Sequence, residues 1–504
     1  MNLNTQFVFE GKQKRVLIGG MALGALCLLL SYLNDDEFHT RFWTNYLHNA
    51  VFFTGIAFTT MFFLSAQITA FGGWNTVIKR VWEAMSQFMW VGLILMGVLV
   101  ISVWGHMNHL YHWNTPGLTD PNSPIYDKVI AGKSGFLSPM FYTVGVVGFL
   151  AIWYFWAYKL RQTSVDQDTM ETESLDYYKK QRKWAASFLP LGGFLSTVFL
   201  WESVMSVDPH WYSTMFAWYS MISVLLAGVA LTVMLIIYLK SLGYMEYVNR
   251  SHLHDLGKYL FGISVFWTYL WFDQFMLIWY ANNGEETIYF NERMLHYPIL
   301  FWGNLLLNFV VPFFILMRND TKRKFGTMFF VAFIVFFGHW WDYFYMIKPG
   351  ARIAAFEAKE LMEGKHSSKK AEEAAPITEA KTEASKPAET AAAEAAAPVH
   401  GEKAAEAENH PTEQKESATA TEQGEHGSAA EEIGPDKSFK LGFTIPGFEE
   451  IGIMIGFLSL FLFFFFNQLT KVSLIPFKDP YLEESLHHDT GALIEGEDDD
   501  AGHH

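Results

Sequence analysis

The 504-residue chain is 51% hydrophobic and 17% aromatic, with 46 Phe and 18 Trp, which is too apolar for an ordinary soluble domain. Its formal charge of −16 is unevenly spread: residues 363–438 hold 8 Lys against 17 Asp and Glu, and residues 479–504 hold 9 acidic residues with no Lys or Arg. The remainder is close to neutral, and a single Cys excludes disulfides within the chain, Cys-ligated iron–sulfur clusters and covalent CxxCH haem attachment.

Ten apolar runs reach the length of about 18 residues that spans ~30 Å of hydrocarbon. They predict an all-α polytopic membrane protein with spans near 16–33, 45–70, 86–105, 138–158, 185–205, 215–239, 256–281, 297–317, 326–346 and 449–469. The first begins with Lys12, Lys14 and Arg15. Its "LGALC" resembles a lipoprotein cleavage site, but Leu26 stands where a small residue is needed. It therefore reads as a retained anchor with Cys27 packed as an apolar residue. The third span ends on His106 and His109. The fourth opens with "GVVGF", which, like "GFLS", supplies small residues for close helix contact.

The fifth span carries Glu202 and ends in "SVDPH", where Asp208 before Pro209 favours a turn ahead of His210. In the seventh, Asp273 and Gln274 interrupt an apolar run, and helical spacing sets Asp273 with Phe266, Tyr269, Leu277 and Tyr280. The eighth has Asn304 and Asn308. The ninth, "FFGHWWDYFYM", places His339, Asp342 and Tyr343 on one face. His339 is the only histidine well inside a span, with His48 and His106 near span ends, so a bis-histidine haem is not expected.

Residues 357–440 read as an acidic linker whose Ala/Glu/Lys-rich stretch, 363–438, has only Ile377, Val399 and Ile433 as large aliphatic side chains. Such a stretch cannot bury enough surface to offset its ordering entropy and is expected to be disordered. The resulting division is a membrane domain over 1–356, the linker, a tenth span within 441–478 and an acidic tail over 479–504.

Lys and Arg set the orientation. The N-terminus and the second, fourth, sixth and eighth loops hold 18 of them, against Arg41, Lys128, Lys133 and Arg293 in the odd loops. Both termini are expected to be cytoplasmic and the linker periplasmic. The embedded titratable groups then gather in the outer half. The cytoplasmic half is poorer, with Gln67, Asn304, Asn308 and the helix-starting "HDLGK". A charge at the bilayer centre costs at least ~2.5–3.5 kcal/mol, so such groups normally face a bundle interior and serve relays. Glu202, Asp208, His210, Asp273, Gln274, His339, Asp342 and His106 are the candidate proton path, expected to meet in a wet pocket open to the outer face. The plainer alternative is that each carboxylate bonds a Trp, Tyr or His and locks adjacent helices.

Two stretches, "SVDPHWYSTMFAWYS" (206–220) and "HDLGKYLFGISVFWTYLWFDQFMLIWYANNGEETIYF" (254–290), resemble the F-subunit family of bacterial alternative complex III. That family is similar to the membrane subunit of polysulfide reductase, the NrfD-like group. The resemblance implies two four-helix bundles, spans 2–5 and 6–9, with spans 1 and 10 peripheral. It implies a cofactor-free subunit of a respiratory quinol:cytochrome c, or other high-potential-acceptor, oxidoreductase in the bacterial inner membrane. The implied partners are a sister NrfD-like membrane subunit, an iron–sulfur subunit, multihaem and monohaem cytochromes c and small anchor subunits; a cytochrome oxidase can associate. Haem c and iron–sulfur clusters would lie in those partners, and quinol oxidation in the sister subunit. Glu202, Asp208, His210 and Asp273 fall near or within the matching stretches; His339 and Asp342 rest on depth alone. Two alternatives stand beside this: a quinol site of the chain's own, with His339 and Asp342 as proton acceptors, and an independent secondary transporter.

Overall fold

A computed structural model of the chain describes residues 6–170, 175–362 and 439–491. Among the described residues, ten helices are long and apolar enough to cross a membrane: α1 (Gly11–Leu33), α2 (Thr40–Thr69), α3 (Thr76–Trp104), α4 (Pro139–Thr169), α5 (Leu175–Val207), α6 (Thr214–Ser241), α7 (Arg250–Ala281), α8 (Pro298–Leu316), α9 (Phe325–Leu361) and α10 (Phe448–Leu469). The protein is an all-α polytopic membrane protein, as its apolar runs predict. Most helices outrun those runs, because polar ends are also held in helix by packing at the two faces.

In the first bundle α2 packs on α3 and α5, and α4 on α3 and α5. In the second, α6 packs on α7 and α9, and α8 on α7 and α9. The bundles meet where α2 touches α6 and α9 and where α5 touches α6. α2 and α6 are consequently the most enclosed helices, 83% and 78% buried over their apolar windows, whereas α1 is only 17% buried.

α1 pairs with α10, antiparallel, along a stripe of small residues. A Cβ at Gly24 would collide with the backbone of Gly456, one at Gly20 with Ser459 Oγ, and one at Gly452 with Cys27 Sγ. Glycine permits this approach, and without a hydrophobic drive between helices in lipid such contact is what holds them together. Cys27 is buried, as expected.

Residues 470–491 cross one face of both bundles. Lys79 Nζ meets Asp479 Oδ2 at 2.8 Å and Gln181 Oε1 at 2.6 Å; Gln167 Nε2 donates to the Lys478 carbonyl at 2.8 Å. Further on, Ser485 Oγ donates to the Trp74 carbonyl at 2.6 Å, and His488 Nε2 lies 2.7 Å from Asp255 Oδ2. The stretch read as an acidic tail from 479 is therefore a bound strap as far as 491. This basic face also holds the buried Arg80, which pairs with Glu83 at 2.7 Å and with Asp168. The expectation of a half poor in titratable groups is corrected: α3 starts at Thr76, so charges read as loop lie in helix beneath the strap. The linker stretch 363–438 lies outside the described residues, but 357–361 continue α9 rather than starting a linker.

Candidate functional site

Within the second bundle, Asp342 on α9 is fully buried. Its carboxylate accepts from Ser223 Oγ at 2.7 Å, Trp267 Nε1 at 3.0 Å and Asn304 Nδ2 at 2.7 Å, and from the Tyr219 hydroxyl. The donors come from α6, α7 and α8, so all four helices of the bundle converge on one carboxylate. Four hydrogen bonds offset much of its desolvation. His339, one turn away, sets Nδ1 3.0 Å from Ser223 Oγ, and its Nε2 has no partner among the described residues.

The network runs toward the basic face through Asn308, whose Nδ2 donates to Asn304 Oδ1 at 2.6 Å and to the Gly338 carbonyl at 3.0 Å. Asn308 lies in a π-helical turn, Leu306–Val310, and a Cβ at Gly338 would collide with its Oδ1. Such turns widen a helix locally and concentrate at functional sites.

In the other direction α9 carries the line toward the opposite face. Asp342, Met346, Gly350 and Glu357 are 4, 4 and 7 residues apart and share a helical face. The Met346 carbonyl accepts from Arg293 Nη2 at 3.4 Å; Arg293 is buried over the Tyr289 ring at 3.4 Å, and Tyr289 stacks on Trp211 at 3.8 Å. Asp208 packs against Gly350, where a Cβ would sit 3.5 Å from its own. Glu357 then lies 3.7 Å from His112 Nε2 and 4.0 Å from His210 Nδ1, and His210 Nε2 is 3.0 Å from Asp127 Oδ2. Asp127 is fixed as the N-cap of the helix Lys128–Lys133, accepting from the Val129 and Ile130 amides.

Electrostatics differ between the two aspartates at this end. Burial pushes the Asp208 carboxyl above its ordinary range, against the opposing pull of Arg293, His210 and Lys133. Asp127 is desolvated too, yet its hydrogen bonds to His210 and to the Ile130 and Val129 amides hold it below the usual range. Burial also lowers the Lys133 ammonium, whose Nζ donates to the Pro209 carbonyl at 2.7 Å and so ties the 128–133 helix to the Asp208–Pro209 turn.

The first bundle's counterpart is Glu202. It is fully buried, and neither carboxyl oxygen has a partner among the described residues. Nearby, Tyr111 and Tyr142 share a hydrogen bond at 3.0 Å. A π-helical turn, Val144–Gly148, packs on α5 there, with a Gly145 Cβ position 3.3 Å from Glu202 Cγ. The two bundles are thus alike: in each, the third helix makes a π turn against the fourth, beside a buried carboxyl. "GVVGF", read only as a packing signal, supplies that turn.

The expected common pocket is corrected in three places. Asp273 does not enter the interior: Phe266, Tyr269, Leu277 and Tyr280 on its face are all exposed, while the next residue, Gln274, is buried with Nε2 unpaired among the described residues. His106 is exposed at the end of α3, 3.4 Å from Asn114 Nδ2 and apart from the α9 line. Glu202 stands in the other bundle. Asp208, His210, His339 and Asp342 do lie along α9, and Glu357, His112, Asp127, Arg293 and Tyr219 join them unforeseen. A second unforeseen cluster ties α2, α9 and α10: buried Lys348 Nζ donates to Asn45 Oδ1 at 2.6 Å, while Asn45 and Arg41 donate to Glu450 Oε1 at 2.9 and 2.8 Å.

Among the described residues no group of three or more His, Cys, Asp or Glu is arranged to hold a metal ion. Compared with known proteins, the chain matches no protein-family model and no curated sequence.

Proposed function

We propose that this chain is an integral-membrane subunit of a respiratory quinol:cytochrome c, or other high-potential-acceptor, oxidoreductase, and that its own contribution is a proton path. The basic face would be cytoplasmic and the His210 end periplasmic, following the Lys and Arg distribution. Partners would be those the resemblance implies: a sister NrfD-like subunit that oxidises quinol, an iron–sulfur subunit and cytochromes c carrying the haems.

One observation carries the proton path: Asp342 and Glu357 stand on a single face of α9, Arg293 and Asp208 are set against Met346 and Gly350 between them, and Asn304 and Asn308 extend the line from Asp342 toward the basic face. Carboxyl and imidazole groups can each take and pass a proton, and a relay across a bilayer requires such groups in succession. Replacing Asp342 by Asn removes the central proton carrier while nearly keeping its volume. In the complex reconstituted into vesicles, proton release per electron is expected to fall, while c-type haem still copurifies with the tagged chain. Unchanged stoichiometry and rate would remove Asp342 from the path; absence of c-type haem would remove the respiratory assignment.

A quinol site of the chain's own is the second reading, and a different place favours it. His339 and Asp342 are enclosed, but a groove of about 520 Å³ lies between α1, α6, α9 and α10, walled by residues such as Leu231, Leu235 and Leu462 and edged by Glu10, Gln13 and Tyr238. Apolar walls with a few polar groups at one end suit a ring with a long tail. Quinone bound there in the purified chain would support this reading.

A further inference from the structure

One face of α7 points out of the second bundle. On it Phe266, Tyr269, Leu277 and Tyr280 are 45%, 57%, 53% and 84% exposed. Asp273 lies among them, partly exposed, with no side-chain hydrogen bond or ion pair to a described residue. It stands eight residues before Ala281, about 12 Å along the helix and so within hydrocarbon depth. A lone charge in lipid is penalised by up to several kcal/mol, and its bearers normally face protein or water. Turning the helix by one residue would bury this carboxyl where Gln274 sits; the chain places the amide inside and the acid outside.

We propose that this face docks a transmembrane helix of a different protein chain, one presenting a lysine or arginine to Asp273. Aromatic and aliphatic side chains supply the packing surface, and the carboxylate supplies register and choice of partner, the role that lone buried charges play at helix interfaces. A second copy of this chain is a poor source of the cation. Its basic residues in the same half are already engaged: Arg41 with Glu449 and Glu450, Lys348 with Asn45, Arg293, within the 284–296 helix, with the Tyr289 and Met346 carbonyls, Arg352 with Tyr297, and Lys359 with a neighbour of its own. The docked helix belongs to whichever complex the chain joins, so this interface and the respiratory assignment fail separately.

The test uses the full chain in its native membranes, with Cys27→Ser as background and single Tyr269→Cys or Leu277→Cys substitutions carrying a photoreactive maleimide. Linked peptides are sequenced. The expected result is that both positions label one transmembrane helix of another chain, that this helix contains a Lys or Arg, and that Asp273→Leu lowers the yield at least tenfold. Leucine suits a lipid-facing position, so that variant keeps its fold if lipid is the true neighbour. Adducts with lipid alone, with a second copy, or with a helix lacking Lys and Arg would overturn the proposal. So would a yield unchanged in Asp273→Leu.

Discussion

Glu357 and His112 face each other at 3.7 Å, and His210 approaches the same carboxyl at 4.0 Å. About four helical turns beyond Asp342, this group stands where the α9 line leaves the bundle, so a proton arriving there has two imidazoles to receive it. Glu357→Gln keeps the side chain's size and removes its proton affinity. The expected outcome is proton release slowed about tenfold, a barrier increase of ~1.4 kcal/mol, with assembly intact. Stopped-flow pH recording on the reconstituted complex checks this, and an unaltered rate would move the exit elsewhere.

Asp127 and Asp208 give opposite pH dependences at this same end. Asp127 is held below its ordinary range, so its contribution to stability is present above the unfolded value of about 3.9 and is lost as pH falls through the native one. Asp208 is raised by burial, so its contribution is present below about 3.9 and is lost as pH rises through the native value. Amide exchange at residues 128–133 from acid to neutral pH should then show both limbs. Asp127→Asn flattens the acid limb and Asp208→Asn the other; a single limb lost in both variants would contradict the assignment.

The α1–α10 pair depends on backbone contact at Gly24 and Gly456, where an added Cβ meets main chain rather than a yielding side chain. Gly24→Leu must separate the helices. Overpacking of this kind costs about 1–3 kcal/mol, read as a lower detergent-denaturation midpoint with α1 newly open to protease. Gly19→Leu, at a position where a Cβ meets nothing within 4 Å, is the control and should leave the midpoint in place.

Ten helices were legible because a bilayer demands length and apolarity, which a sequence displays locally. His339 and Asp342 were legible too, since their spacing admits one shared face. Asp273 was not, because in a membrane protein aromatic residues cover both lipid-facing and bundle-facing surfaces, so neighbours such as Tyr269 and Leu277 do not distinguish inside from outside. Glu357 lay in "FEAKELM", whose charge density reads as solvated, and only its spacing of 15 from Asp342 could have placed it on the same face. Lys79 pairs with Asp479, 400 residues away, and no local pattern announces that contact.

Glu202 separates structure from function most sharply. A fully buried carboxyl with neither oxygen bonded to a described residue is a burden on the fold unless it works. Glu202→Leu fills a similar volume without a polar group, and removing an unsatisfied buried group is expected to raise stability by about 1–3 kcal/mol. If the π turn at Val144–Gly148 marks a second proton site matching Asp342, the same variant loses turnover while its thermal midpoint rises, the exchange of stability for activity expected where an unsatisfied buried group is functional. Calorimetric unfolding and quinol-driven acceptor reduction on one preparation check both halves. A lower midpoint with undiminished turnover would show instead that Glu202 binds a partner outside the described residues and serves the fold alone.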